Sequence, residues 1–189
     1  MLDIHPSDLC NSEYDRKQLL INLNIEKEYE SYLVSGVFNL LDEKVSRTLD
    51  FKQDLHLFDG DYLVYDFYRD EFLGKLKDGI TLENLPYECR ILSVRPYSGV
   101  PQIVSTSRHI TQGAAEISSM EFKNNTLTFR ASLIKGDEYS VKLYIPDGYK
   151  LKGYTGFEKH ELHGHILSLT VTPEKTEDND LSVSFYSRK

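Results

Sequence analysis

Apolar and polar residues alternate over most of the second half of the chain. Between Thr126 and Leu133, residues Leu127, Phe129, Ala131 and Leu133 share one side, with Thr126, Thr128, Arg130 and Ser132 on the other. Val141, Leu143 and Ile145 repeat the spacing against Ser140, Lys142 and Tyr144, and two further rows follow, Leu167, Leu169, Val171 and Leu181, Val183, Phe185. A period of two predicts strands with one wet and one buried face. Turn chemistry falls between these rows, at Lys123-Asn124-Asn125, Lys135-Gly136-Asp137, Pro146-Asp147-Gly148 and Pro173 to Asp180. About seven short strands at such spacings predict a small antiparallel sandwich, immunoglobulin-like in plan, over residues 98–189.

The first half is β-rich with a less regular alternation. Residues 1–16 are polar and irregular around Pro6 and read as a lead-in outside the core. Leu19 to Leu23 and Tyr32 to Leu40 are predicted strands, joined as a hairpin through the short charged stretch Ile25 to Glu30. Val45, Arg47, Leu49 and Phe51 alternate with Ser46, Thr48 and Asp50. After the turn Asp59-Gly60, Asp61 to Tyr68 and Phe72 to Leu76 form a second hairpin across Arg69-Asp70-Glu71, and Ile80 to Leu82 and Glu88 to Val94 complete the set. No stretch carries the 3.6-residue period of an amphipathic helix. The sequence therefore predicts an all-β chain of two antiparallel sandwich modules, 1–97 and 98–189. The joint is the short linker around Arg95 to Gly113, whose Pro96 and Pro101 are excluded from the interior of a central strand.

Charge sharpens this division. Residues 1–96 hold 11 Lys and Arg against 19 Asp and Glu, whereas residues 97–189 hold 11 of each, so the formal charge of -8 belongs to the first module. An acidic module beside a neutral one, with no basic stripe, argues against nucleic-acid binding. No run of about 18 apolar residues is present, so membrane insertion is not predicted, and the opening Met-Leu-Asp-Ile-His-Pro lacks the basic and apolar regions of a signal peptide. Two cysteines, Cys10 and Cys89, are too few for a disulfide framework, though spacing alone leaves one bridge between them open.

The motifs of common catalytic sites are missing: no G-x-S-x-G, no phosphate-binding glycine loop, no C-x-x-C. None of the patterns implies a cofactor. The sharpest metal pattern is His160-Glu161-Leu162-His163-Gly164-His165, in which His163 and His165 would share one side of a strand. Gly164 points instead to a tight turn with exposed histidines. Paired carboxylates at Asp59/Asp61 and Asp66/Asp70/Glu71 sit beside turn residues and read as turn-formers and solvated charge, with no catalytic pair among them. With 13 Tyr, 9 Phe and no Trp, the remaining lead is a tyrosine platform for the apolar faces of sugar rings, with Tyr62, Tyr65, Tyr68 and Tyr144 as candidate contacts. The alternative is that tyrosines simply fill strand positions.

Several of these segments resemble a known family. Val37-Phe38-Asn39, Tyr65-Asp66-Phe67-Tyr68 with Leu73-Gly74, the run Leu85 to Leu92 and the run Pro101 to Gly113 are similar to the C-terminal β-sandwich region of α-galactosidase-like glycoside hydrolases. His5-Pro6-Ser7-Asp8-Leu9 resembles the chain leaving the catalytic barrel of those enzymes. The resemblance implies a non-catalytic accessory region whose partner is a (β/α)8 barrel of the parent protein, since the family's catalytic carboxylates lie on that barrel and none carries over here. It also implies that Arg108 and His109 serve contacts between modules or with the barrel. Two other roles are compatible with the residues: a carbohydrate-binding module using surface tyrosines, and a free-standing β-sandwich of adhesion or protein interaction.

Overall fold

The computed structural model describes residues 3–6 and 18–187, with side chains from residue 19 onward. The architecture is all-β. The chain divides into two compact units, the first of Met1–Glu26 and Ser31–Tyr97, the second of Lys27–Glu30 and Ser98–Lys189. The four-residue connection of the first long hairpin thus belongs with the second unit.

The first unit holds β1 (Asp3–Pro6), β2 (Gln18–Glu26), β3 (Ser31–Asn39), β4 (Val45–Asp50), β5 (Tyr62–Asp66), β6 (Glu71–Leu76), β7 (Gly79–Asn84) and β8 (Cys89–Pro96). Six of them form one antiparallel sheet in the order β1-β2-β3-β8-β5-β6, and β4 and β7 pair as a separate ribbon. Leu49 and Leu82 from the ribbon meet Leu20, Leu33, Val37, Val64, Leu92 and Val94 from the large sheet in a single core. Period two explains the selection: Leu33, Ser35 and Val37 alternate on β3, opposite Val94, Leu92 and Arg90 of β8.

Asp3–Pro6, expected to lie outside the core elements, pairs in register with β2 from Asp3↔Asn24 to Pro6↔Ile21. Its strand is carried by backbone hydrogen bonds at the edge of the sheet, which require no alternation of side chains. Cys10 lies outside the described residues. Cys89, half-buried, carries a free thiol that burial pushes up from its ordinary pKa.

The second unit holds β9 (Gln102–Thr106), β10 (Ile117–Lys123), β11 (Thr126–Leu133), β12 (Tyr139–Tyr144), β13 (Tyr149–Thr155), β14 (Lys159–His163), β15 (Ile166–Val171) and β16 (Glu177–Ser187). They make two four-stranded sheets, β10-β11-β16-β13 and β14-β15-β12-β9, one strand more than the sequence pattern suggested. The inward rows anticipated from alternation, Leu127 to Leu133, Val141 and Leu143, Leu167 and Leu169, Leu181 to Phe185, form its core. At the β10–β11 hairpin, Asn124 and Asn125 both take left-handed backbone (φ 50° and 58°). Asn tolerates this geometry, and it matches the two-residue turn that follows the twist of the strands.

Candidate docking surface

At one end of the first unit, the β3–β4, β5–β6 and β7–β8 connections lie side by side and are cross-linked by polar groups. Asn39, the last residue of β3, is buried; its Nδ2 donates to the carbonyls of Glu43 (2.8 Å) and Leu85 (2.9 Å), and its Oδ1 accepts the Leu41 N–H at 3.0 Å. One side chain thereby fixes two loops. Tyr87 N–H adds a backbone bond to the Leu41 carbonyl at 3.0 Å.

The third loop is tied in through charge. Asp66 at the end of β5 is fully buried and its Oδ2 meets Nε of buried Arg90 at 2.5 Å, while Oδ1 accepts the N–H groups of Tyr68 and Arg69. The sequence suggested a solvated turn-former; the turn is indeed formed by Asp66, but the carboxylate is buried because Arg90 on the neighbouring strand neutralises it. Arg69 then reaches across to Glu88, with Nε–Oε1 at 2.9 Å and Nη2–Oε2 at 2.8 Å, and its Nη2 donates to the Glu83 carbonyl at 3.0 Å. Glu88 Oε2 accepts the Leu85 N–H at 2.6 Å. Burial pushes the Glu88 carboxyl up, yet the Leu85 N–H and the Arg69 guanidinium outweigh it and hold the group below its ordinary value.

These locked loops present large apolar side chains to solvent. Leu40 is 50% exposed, Tyr68 61%, Leu85 55% and Tyr87 70%, and Tyr87 holds left-handed backbone (φ 56°) that a non-glycine residue rarely adopts. Burying such a side chain yields about 1.5–3 kcal/mol, so a stiff framework that withholds four of them from its own core leaves a surface suited to a partner. Asp42, Glu43, Asp70 and Glu71 are exposed on the same loops and give the surface an acidic margin.

The tyrosine platform is not assembled as the sequence suggested. Tyr62, Tyr65 and Tyr144 are buried. Tyr62 packs edge-on against Phe51 in the core, Tyr65 OH donates to Asp70 Oδ1 at 2.7 Å, and Tyr144 stacks on His165 at 5.3 Å between ring centres. Strand alternation sends the Tyr62 ring into the core, while Tyr65 and Tyr144 stand on the other face of their sheets and are covered there. Tyr68 alone of the four presents its ring, packed edge-on against Phe67.

His163 and His165 do not converge. Gly164 takes left-handed backbone (φ 59°) in the two-residue turn between β14 and β15, so His163 ends its strand near Glu161 while His165 Nδ1 lies 2.9 Å from the Ile145 carbonyl. Among the described residues, no cluster of three metal-ligating side chains occurs. Arg108, half-buried, lines a small depression of the second unit with Ser107, Asp137, Glu138 and Tyr139, and exposed His109 is held by Thr111 through Nδ1 at 2.9 Å from Oγ1.

The sequence reading placed Leu40 at the end of a strand that stops at Asn39, and took Leu85 and Tyr87 as part of the family resemblance, not as exposed side chains. Their signal is apolar residues at turn positions, where side chains that serve only the turn are polar.

Comparison with known proteins gives little further constraint. No family model matches the chain, and no curated protein matches it. Among solved structures, a GH27 β-L-arabinopyranosidase from Geobacillus stearothermophilus in complex with arabinose is similar at 17% identity over 44% of this chain, with a TM-score of 0.38. The chain spans 18% of the length of that enzyme, and at this level of likeness neither fold nor activity transfers.

Proposed function

We propose that the chain is a non-catalytic accessory region of an α-galactosidase-like glycoside hydrolase, docking through the loop end of its first unit onto a catalytic (β/α)8 barrel. The observation that carries this role is the rigid, acid-margined surface of Leu40, Tyr68, Leu85 and Tyr87, whose stiffness comes from Asn39, the Asp66–Arg90 pair and the Arg69–Glu88 pair. A surface already held in one conformation loses little entropy when covered. Asn39, Asp66, Tyr68, Leu85, Tyr87, Glu88 and Arg90 of this surface fall within the segments Val37 to Asn39, Tyr65 to Tyr68 and Leu85 to Leu92 that carry the resemblance to the family's C-terminal region, with Leu40 and Arg69 next to them in the chain.

The test has two arms. The DNA adjoining the Met1 codon is read for a barrel-coding region, in frame or in a neighbouring gene; its presence supports the role and its absence overturns it. Separately, the purified chain is incubated with a nitrophenyl α-galactoside. Background-level turnover is expected, and hydrolysis above the no-protein control would refute a non-catalytic chain.

A further inference from the structure

The opposite end of the same sheet carries a different surface. The inward row of β2 begins with Leu20 and continues, at every second residue, to Asn22, Asn24 and Glu26; that of β3 runs back from Val37 through Ser35 and Leu33 to Ser31. The inward face therefore turns polar before the strands end. A cleft of about 300 Å³ opens there, with Asn24, Glu26, Ser31 and Tyr62 on its strand side, His56 and Phe58 on the segment between β4 and β5, and apolar side chains over most of the remaining wall.

The segment that walls this cleft is held in place. Asp50 Oδ1 accepts the N–H groups of Lys52 and Gln53, Leu57 N–H donates to the Phe51 carbonyl at 2.8 Å, and Tyr62 OH donates to the Phe58 carbonyl at 2.9 Å. Asn22 Nδ2 ties the strand side to the segment through the Asp54 carbonyl at 2.9 Å. Even so, Phe58 is 90% exposed, the most exposed of the large hydrophobic side chains in the described residues. The segment thus holds a phenyl ring in water at the mouth of a largely apolar cleft that carries a few polar groups.

We propose that this cleft is a binding site for a neutral pyranoside. Phe58 offers a ring for the apolar CH face of the sugar, and Asn24, Ser31, Glu26 and His56 offer donors and acceptors for its hydroxyls. The charge excludes the main competitors. No Lys or Arg lines the cleft and Glu26 is the carboxylate among its lining residues, which disfavours phosphates, nucleotides and uronic acids. A purely apolar ligand would leave Asn24, Ser31 and His56 without partners where it covered them. The site is independent of barrel docking: sugar binding here stands if no barrel gene is found, and its failure leaves the loop surface of the other end untouched.

The experiment is a titration of the isotopically labelled full chain, followed by amide chemical shifts, with methyl α-D-galactopyranoside, methyl β-D-glucopyranoside and sodium glucuronate as probes. Saturable shifts at Asn24, Glu26, Ser31 and His56 are expected with at least one neutral glycoside at millimolar concentration, with glucuronate weaker. Phe58→Ala is expected to weaken binding roughly threefold to tenfold, the loss of one stacked ring, with an unchanged melting temperature because the side chain is exposed. Asn24→Ala, on an exposed polar residue, supplies a second variant should Phe58→Ala fold poorly, and Tyr68→Ala at the far end should leave binding as it was. Absence of saturable shifts up to on the order of 100 mM of either neutral glycoside would overturn the site, as would shifts centred on Tyr68 and Tyr87, unaltered affinity in both cleft variants, or tighter binding of glucuronate.

Discussion

In the second unit, β11 buries Leu127, Phe129, Ala131 and Leu133 and exposes the polar residues between them, whereas in the first unit all five residues of β5 and six consecutive residues of β8 are buried. The two units thus reach the same class of architecture by different means. The second closes an apolar core between two matched four-stranded sheets. The first buries both faces of its central strands and takes an ion pair inside with them, whereas the buried carboxylate of the second unit, Glu116, accepts from the Thr106 and Tyr139 hydroxyls. Asp66 and Arg90 lie on the core side; on the other side Arg95, 1% exposed, lies over the Tyr32 ring at 3.5 Å and donates from Nε to Ser93 Oγ at 3.1 Å. Asn39, Asp66 and Arg90 sit where the loops of one end are held, so at that end the buried polar groups and the surface share one set of bonds.

The largest expected effect follows from that difference. Arg90→Met leaves the Asp66 carboxylate buried without its counter-charge and should destabilise the first unit by about 3–5 kcal/mol. The double variant Asp66→Leu with Arg90→Met removes both charges and should recover much of the loss. Amide hydrogen exchange at Leu92 and Val94 reads this change, with Leu143 and Leu167 as reporters of the second unit. If the single variant proves as stable as the parent, the contrast between the units disappears.

Leu143→Ala probes the other side of the comparison. Leu143 is fully buried between Ile103 and Leu167 in its sheet, and its truncation should cost about 2–5 kcal/mol in the second unit through lost burial and the cavity left behind. A smaller effect is expected from Asn39→Ala, about 1–3 kcal/mol, because the carbonyls of Glu43 and Leu85 lose their donor near the loop end. Its distinguishing feature is position: exchange should rise at Leu41, Leu85 and Tyr87 before it rises in the strands.

The same contrast explains what was legible in the sequence. Where one face is wet, as at β11, β12, β15 and β16, alternation announces the strand, its inward row and the core it joins. Where both faces are buried, as at β5 and β8, the alternation survives only in contacts, because apolar residues stand on both faces and the polar ones, Asp66, Arg90, Ser93 and Arg95, are buried with them. For that reason the sequence located the strands of the first unit but offered Tyr62 and Tyr65 as surface rings. Asp66 and Arg90 were invisible as a pair, being 24 residues apart on strands whose adjacency comes from the order β3-β8-β5, a non-sequential neighbourhood. Of the exposed apolar residues of the loop end the sequence offered Tyr68 but not Leu40, Leu85 or Tyr87 as surface contacts, because the bonds of Asn39, Arg69 and Glu88 that fix their loops join residues far apart in the chain.

The smallest expected effect tests whether that loop network depends on charge in the manner the geometry implies. Glu88 is held below its ordinary pKa in the folded chain, despite the opposing push of burial, by the Leu85 N–H and by Arg69. A carboxyl depressed on folding contributes its stabilisation above its unfolded pKa, near 4.3, and loses it as pH falls through the lower folded value. The Leu85 amide, 2.6 Å from Glu88 Oε2, should therefore keep its protection from neutral pH down through the ordinary carboxylate range and lose it only below that range, after correction for intrinsic exchange. Amides of the β11–β16 ladder, from Thr126↔Ser184 to Leu133↔Glu177, are bonded backbone to backbone and should not follow the same curve. Arg69→Gln removes the cation and should shift the Leu85 transition to higher pH, toward the ordinary carboxylate range. A Leu85 profile unmoved by Arg69→Gln would mean that the loop end is fixed by Asn39 and packing alone, and that the charges of the first unit matter only where they are buried.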